Sequence, residues 1–558
     1  MSVRETRTGA KIVALIASAS LMLTACGGGD DTAEDGGSSN GGSGERAQGG
    51  TITYGADQEP TGFNGNTSKD NGTSVKNVIT NLHYFAAKAN PDLTLDFIGL
   101  EGEPTLVSED PQVVEWKIKQ EAVWSDDTPV TSADIEYFYE NVINPANDVA
   151  SRIGYDQITN FESVDDKTFR ATFDPKYAEY EGLWGDGIPQ AAFMQAQAGG
   201  WNTGLDTNPG PSAGPFLFTE TSYLPGESLT LERNDAWWGE DKPTLDSIVF
   251  RFLPESTTQA DALRNQEVDM IYPQPQLDLV EQVQQLEPDV TSDIKFAAQF
   301  EQLTFNLANP VLAELPVRRA IAYAVDRNAI VDRLMKPFSA EASRLDNRVF
   351  MTNQDDYEAH GEEYAEQDLA AAKAAMEGAG WALGADGVYA KGGQRAAFRL
   401  TTTTGNALRE QQLELIRAQL AEVGMEATID NCPSTCVFGE RLPQGNFDVA
   451  NFAWIGGTTP INGITQLYTS GSDSNYGKYN NPEWDALGRE ALSEFDEEIR
   501  IGLGNQLDSV LWDDMVVLPL YQKPNFLAVT SNAVGIEAHT TLEGPFYNSQ
   551  LWGVKSVQ

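Results

Sequence analysis

Along the chain, short apolar runs that alternate with polar residues take turns with longer runs in which apolar residues recur at helical spacing. Thr51 to Tyr54 and Val113 to Ile118 predict strands, the first followed by a loop rich in Gly, Asn and Thr from Asp57 to Ser74. Thr131-Ser-Ala-Asp134 is a capping-box start, with Ile135, Phe138, Tyr139 and Val142 on one helical face and Asn144-Pro145 at its end. Leu229 to Glu232 and Ile248 to Phe252 predict strands around a loop that holds Trp237 and Trp238. Pro316 opens a helix with Val317, Ala320, Ile321 and Ala324 at core spacing, and Asp326 predicts the N-cap of the next, with Ile330 and Leu334. Phe398 to Thr402 predicts a strand, Leu413, Ile416, Leu420 and Val423 a helix stopped by Gly424, and Glu426 to Ile429 a second strand, which together make a βαβ unit. Phe447 to Ala453, a helix from Glu497 to Trp512, and Val516 to Leu520 close the series. The alternation predicts the α/β class.

Composition narrows the setting. The 558 residues are 41% hydrophobic, enough to bury several cores. Against 83 Asp and Glu stand 37 Lys and Arg, a formal charge of −46, which makes nucleic acid a poor partner and leaves cationic or zwitterionic solutes as candidates. Arg4, Arg7 and Lys11 precede an apolar run from Ile12 to Leu23 that is shorter than the ~20 residues of a membrane span, so residues 1–25 predict a secretory signal peptide. Leu23-Thr24-Ala25-Cys26 resembles the lipobox of bacterial lipoproteins, and that resemblance implies cleavage before Cys26 and lipidation of its sulfur. Residues 26–49, rich in Gly, Ser and Asp, predict a flexible tether. The body would then stand on the extracytoplasmic face of the cell membrane, held by lipid alone.

Candidate chemistry is sparse. Three Cys and three His are too few for a zinc or iron–sulfur framework, and no metal or cofactor is expected. Cys432-Pro-Ser-Thr-Cys436 in an oxidising compartment predicts a local disulfide, since the C-x3-C spacing departs from that of a redox dithiol. There is no G-x-S-x-G elbow, H-E-x-x-H pair or P-loop, and His83, His360 and His539 stand apart in sequence. Gly378-Ala-Gly380 follows an Ala-rich helical stretch and reads as a cap and turn, not a dinucleotide loop. Carboxylate spacing selects no acid/base pair, so a protein without catalysis is expected. Its 11 Trp and 18 Tyr suit the aromatic walls of a solute cleft.

Several segments, in order, carry a resemblance. They are Trp124-Ser-Asp-Asp-Thr-Pro-Val-Thr-Ser-Ala-Asp134; Gly214-Pro-Phe216; Leu231-Glu-Arg-Asn234 with Trp237-Trp-Gly239; Glu267-Val-Asp269; Val317 to Arg327; Ala379-Gly380-Trp381; Phe447-Asp448-Val449 with Trp454; Tyr479-Asn-Asn-Pro482; and Leu518-Pro-Leu-Tyr521. Together they resemble the extracytoplasmic solute-binding proteins of the oligopeptide and dipeptide class, solute-binding protein family 5, which serve bacterial ABC importers. The resemblance implies a two-lobed, type II periplasmic-binding-protein-like α/β fold with an extra subdomain in the first lobe. On that pattern lobe I takes residues 50–75, 205–302 and 528–558, the extra subdomain 76–204, and lobe II 303–527. Crossings are implied near Leu303 to Phe305 and Asn525 to Ala528.

In that family a peptide lies as an extended strand between the lobes, bonded through its backbone. The resemblance places the second-lobe side at Trp454, Ile455, Gly456, Gly457 and Thr458, and the first-lobe side in the loop from Phe63 to Asn71, through Phe63, Asn64 and Asn66. Arg441 matches a basic residue near the far end of the peptide. Gly457 stands where oligopeptide-binding members carry an Asp for the peptide's ammonium group. The implied function is a monomeric receptor that takes a small solute, an oligopeptide first of all, and hands it to permease subunits. A blocked peptide, a sugar or glycoconjugate, an ammonium anchor from elsewhere, and a regulatory lipoprotein of the same fold stay open.

Overall fold

A computed structural model describes residues 46–556. The predicted signal segment, the lipidation residue Cys26 and most of the tether lie outside the described residues.

Local signals set the elements. Helix Ser132–Val142 starts at Thr131, whose N–H donates to the Asp134 carboxylate at 2.9 Å, and it buries Ile135, Phe138 and Val142. Asp326 accepts from the Ala329 N–H at 2.8 Å and caps helix Arg327–Leu334. Helix Ala407–Glu422 buries Leu413, Ile416 and Leu420, and Gly424 at φ +74° turns the chain into strand Glu426–Ile429. Gly214 has a different constraint: an added Cβ would lie 2.1 Å from the Asn81 carbonyl oxygen, so only glycine lets the two backbones pass.

Ten strands form one continuous sheet. In spatial order they are Glu426–Ile429, Ala397–Thr401, Val449–Ile455, Val290–Phe305, Val517–Thr530, Met270–Ile271, Thr51–Ala56, Ser247–Phe252, Ser228–Arg233 and Phe216–Leu224. Parallel pairs centre on Thr51–Ala56 in one half and on Ala397–Thr401 in the other, so each half is an α/β layer. The two long antiparallel strands, Val290–Phe305 and Val517–Thr530, belong to both halves. Their register shifts between Phe296, opposite Pro524, and Phe300, opposite Gln522. Asn525 to Ala528 pair before this shift, and Leu303 to Phe305 pair with the strand from Val449 beyond it, so the implied crossings flank the break.

A separate antiparallel sheet, Thr105–Glu109, Gln112–Lys117, Thr168–Phe173 and Ile158–Asp165, packs with helix Ser132–Val142 as the extra subdomain. Trp116 stacks on Phe169 at its centre, and Trp184 meets both rings edge-on. The architecture is the two-lobed type II fold.

Candidate functional site

The register shift opens a cavity of about 70 Å³ where the halves of the sheet meet. Tyr54, Asp57, Asn77 and Tyr272 wall it from the first lobe, Gln299 and Asn525 come from the long strands, and Ile455 closes it from the second lobe. Asp57 sits at the carboxyl end of the Thr51–Ala56 strand, where open α/β sheets collect their ligands.

Strand Val449–Ile455 leads to this cavity. Val449, Ala450 and Phe452 anchor it in the core, while Trp454 is half-buried and stacks on Tyr476 with ring centres 5.7 Å apart. One edge pairs with Val290–Phe305 along its whole length. The other pairs with Ala397–Thr401 only at Val449 and Ala450, and beyond them no strand among the described residues takes that edge. Past the strand, the Gly456 N–H donates to the Ala298 carbonyl at 2.5 Å, tying this segment to the register shift. Gly457 is exposed, and an added Cβ there would meet nothing within 4 Å. Thr458 is half-buried beside it.

The first-lobe residues singled out in sequence lie elsewhere. Phe63 is buried against Phe218 and Tyr223, Asn64 donates to the Trp201 carbonyl at 2.8 Å, and Asn66 donates to that of Gly187 at 2.9 Å. They brace the loop from within. Arg441 is half-buried and engaged with Asp430, donating to its carbonyl at 2.6 Å and its carboxylate at 2.8 Å. The predicted disulfide is present: Cys432 and Cys436, with Cα atoms 5.9 Å apart, close the loop just before the turn that carries Arg441.

A buried charge network crosses the long strands next to the cavity. Burial alone would raise the Glu301 carboxyl, but Arg409 at 2.5 Å and Lys523 at 3.5 Å overcome it and hold the group below its usual range. Burial lowers the Lys523 ammonium to about 8. Burial also raises Asp57 to about 6.

Just beyond Thr458, the subdomain clasps the second lobe at a rim of the cleft. The Glu179 carboxylate accepts from the Ile461 and Asn462 N–H groups at 3.1 and 2.7 Å, capping helix Pro460–Tyr468. Asn462 donates to the Tyr177 hydroxyl at 2.9 Å, and the Ala178 N–H donates to the Leu492 carbonyl at 2.6 Å. Burial lifts Glu179 to about 7. Apolar packing continues across this rim, so the lobes are closed on one another.

Asp57, Glu179, Glu301 and Lys523 were not singled out in sequence. Only Asp57 carried a usable signal, as the acidic residue that opens the loop after the first predicted strand. Among the described residues, no group of three or more His, Cys, Asp or Glu is placed to hold a metal, and no helix is long and apolar enough to cross a membrane.

Two hinged α/β lobes around a cleft define a solute-binding protein. Residues 91–476 match the family described as "Bacterial extracellular solute-binding proteins, family 5 Middle". The chain belongs to this family, whose members are substrate-binding proteins of ABC importers. It is 31% identical over 438 residues to the oligopeptide-binding protein OppA of Mycobacterium tuberculosis, covering 77% of this chain and 72% of that one. It is 24% identical over 522 residues to the oligopeptide-binding protein AppA of Bacillus subtilis, covering 91% and 92%. Among solved structures, the periplasmic EDTA-binding protein EppA superposes with a TM-score of 0.85 at 25% identity, covering 92% of this chain and 98% of that one. Bacillus subtilis AppA in complex with a nonapeptide superposes at 0.80 and 21% identity, covering 92% and 100%.

Proposed function

We propose that this receptor takes an oligopeptide, laid as an added strand along the open edge of Val449–Ile455, and presents it to the permease of an ABC importer. The open edge is the observation that carries the reading. Backbone N–H and C=O groups without a strand partner, beside a half-buried Trp454, are what an extended peptide needs, and bonding through groups common to all peptides tolerates varied side chains. The oligopeptide-binding names of the relatives in Mycobacterium tuberculosis and Bacillus subtilis support the same class. The protein works as a monomer without a catalytic step, tethered through Cys26. Trp454 to Thr458 form the second-lobe side, and Phe63, Asn64 and Asn66 shape the first-lobe wall from behind.

Native mass spectrometry of the protein purified from its own host, before and after mild denaturation, tests the ligand class. Release of peptide masses is expected. Absence of any such mass, with no thermal shift on adding a peptide library, overturns the reading. A non-peptide solute is the second reading, favoured by the open space at Gly457 and by the EDTA named for the EppA structure. Its signature in the same experiment is a released non-peptide mass. For the tether, Cys26→Ala is expected to release the protein into the medium, and unchanged membrane fractionation would rule the anchor out.

A further inference from the structure

A peptide held on the 452–458 segment brings an ammonium group into a closed cleft, where an unpaired cation loses several kcal/mol of hydration. Gly457 offers it nothing, since glycine has no side chain to pair with a cation and a Cβ there would meet nothing within 4 Å. The opposite wall does offer a partner. Asp57 projects from the first lobe into the cavity that Ile455 closes from the second, so the segment expected to carry the peptide ends at the same space as this carboxylate.

Asp57 is half-buried, and no Lys, Arg or His nitrogen among the described residues lies within 4.0 Å of its carboxylate. Lys523 pairs directly with Glu301 at 3.5 Å and donates to the side chain of Gln274; burial pushes Asp57 up by more than the backbone amides of Asp57 and Gln274 and the Lys523 charge pull it down. A carboxylate left in this state, raised to about 6 by its burial, gains when a cation arrives. The cavity is large enough for one. Its volume of about 70 Å³ is several times the ~15 Å³ that a single water requires. Tyr54 and Tyr272 are among its lining residues, and a hydroxyl oxygen can accept an ammonium proton.

We propose that Asp57 receives the cationic group of the solute, the α-ammonium of a peptide, from the first lobe, in place of the second-lobe carboxylate that Gly457 lacks. This rests on the peptide reading above. It makes the contact bridge the lobes: the peptide backbone is held by one and its charge by the other, so full binding requires closure.

The test is calorimetric titration of the full protein with peptides drawn from the masses it releases, each synthesised with a free and with an acetylated amino terminus. The wild type is expected to bind the free form at least tenfold more tightly. Asp57→Asn is expected to weaken the free peptide tenfold or more and leave the acetylated one within twofold, abolishing the preference. Asp57→Ser serves the same purpose if the amide variant fails to fold, with circular dichroism as the check. A variant that keeps the wild-type preference for the free amine overturns the assignment while leaving the peptide reading intact. A wild type that binds neither form overturns both.

Discussion

At the scale of single residues, the buried ions have the largest individual effects. Glu301 makes its two charge contacts with groups from different elements: Arg409 in the first turn of helix Ala407–Glu422 and Lys523 on the neighbouring long strand. Asn451 adds a hydrogen bond at 3.2 Å. Removing one partner strands the others without water, so Arg409→Ala is expected to cost about 3–5 kcal/mol, read as a lowered midpoint in urea. An unchanged midpoint would show that the network is solvated in solution. A second cluster holds a histidine. The His360 Nδ1–H donates to the Asp508 carboxylate at 2.9 Å, and Asp508 is also bound by buried Arg348 at 2.7 Å. The hydrogen bond to Asp508 raises the His360 imidazole above 6.5. Its contribution is therefore fully present below pH 6.5 and is lost as pH rises through the raised value. Thermal unfolding between pH 6 and pH 8 should show this loss in the wild type and a flatter profile in His360→Asn.

At the scale of elements, the rim clasp and the register shift are expected to control opening. Glu179 has a pKa of about 7 while buried against helix Pro460–Tyr468, and on opening it would return toward the ordinary value of 4.5. The closed form thus binds a proton more readily, and closure is favoured as pH falls through about 7 and opposed as it rises. Small-angle scattering at pH 6 and pH 8 should show a larger radius of gyration at the higher pH. Glu179→Gln removes that dependence. Glu179→Ala, which leaves two helix-end N–H groups without their acceptor, weakens closure by about 1–3 kcal/mol. A radius that ignores both pH and substitution would contradict the clasp. These devices were invisible in sequence, unlike the helices they act on. A cap such as Asp326 and the Ala329 N–H that donates to it lie three residues apart, so spacing alone reveals them. Glu179 and Ile461 are separated by 282 residues, and Arg409 and Glu301 by 108, distances over which no periodicity speaks. In the site, Trp454 to Thr458 came from the family resemblance and the structure sets Ile455 at the cavity, whereas the loop at Phe63, Asn64 and Asn66 offered residues whose bonding groups the structure spends on their own lobe.

For the molecule as a whole, a charge of −46 means that folding gathers like charges together, and screening should ease that repulsion. The melting temperature is expected to rise between 10 mM and 150 mM salt, and a flat response would mean that local pairs already balance the surface. A bound solute adds to this: free ligand at a hundred times its Kd stabilises the folded state by about 2.7 kcal/mol. Both lobes would report that gain in one transition, because the two long strands of the ten-stranded sheet belong to both. The two ends of the described chain also meet. Arg46 bridges Lys555, and the Ala47 N–H donates to the Val554 carbonyl at 2.9 Å. Chain order and spatial order are therefore separable here: a short link from Lys555 to Arg46 would allow new termini to be cut at an exposed turn such as Gly393, giving a circular permutant that carries a reporter on the second lobe.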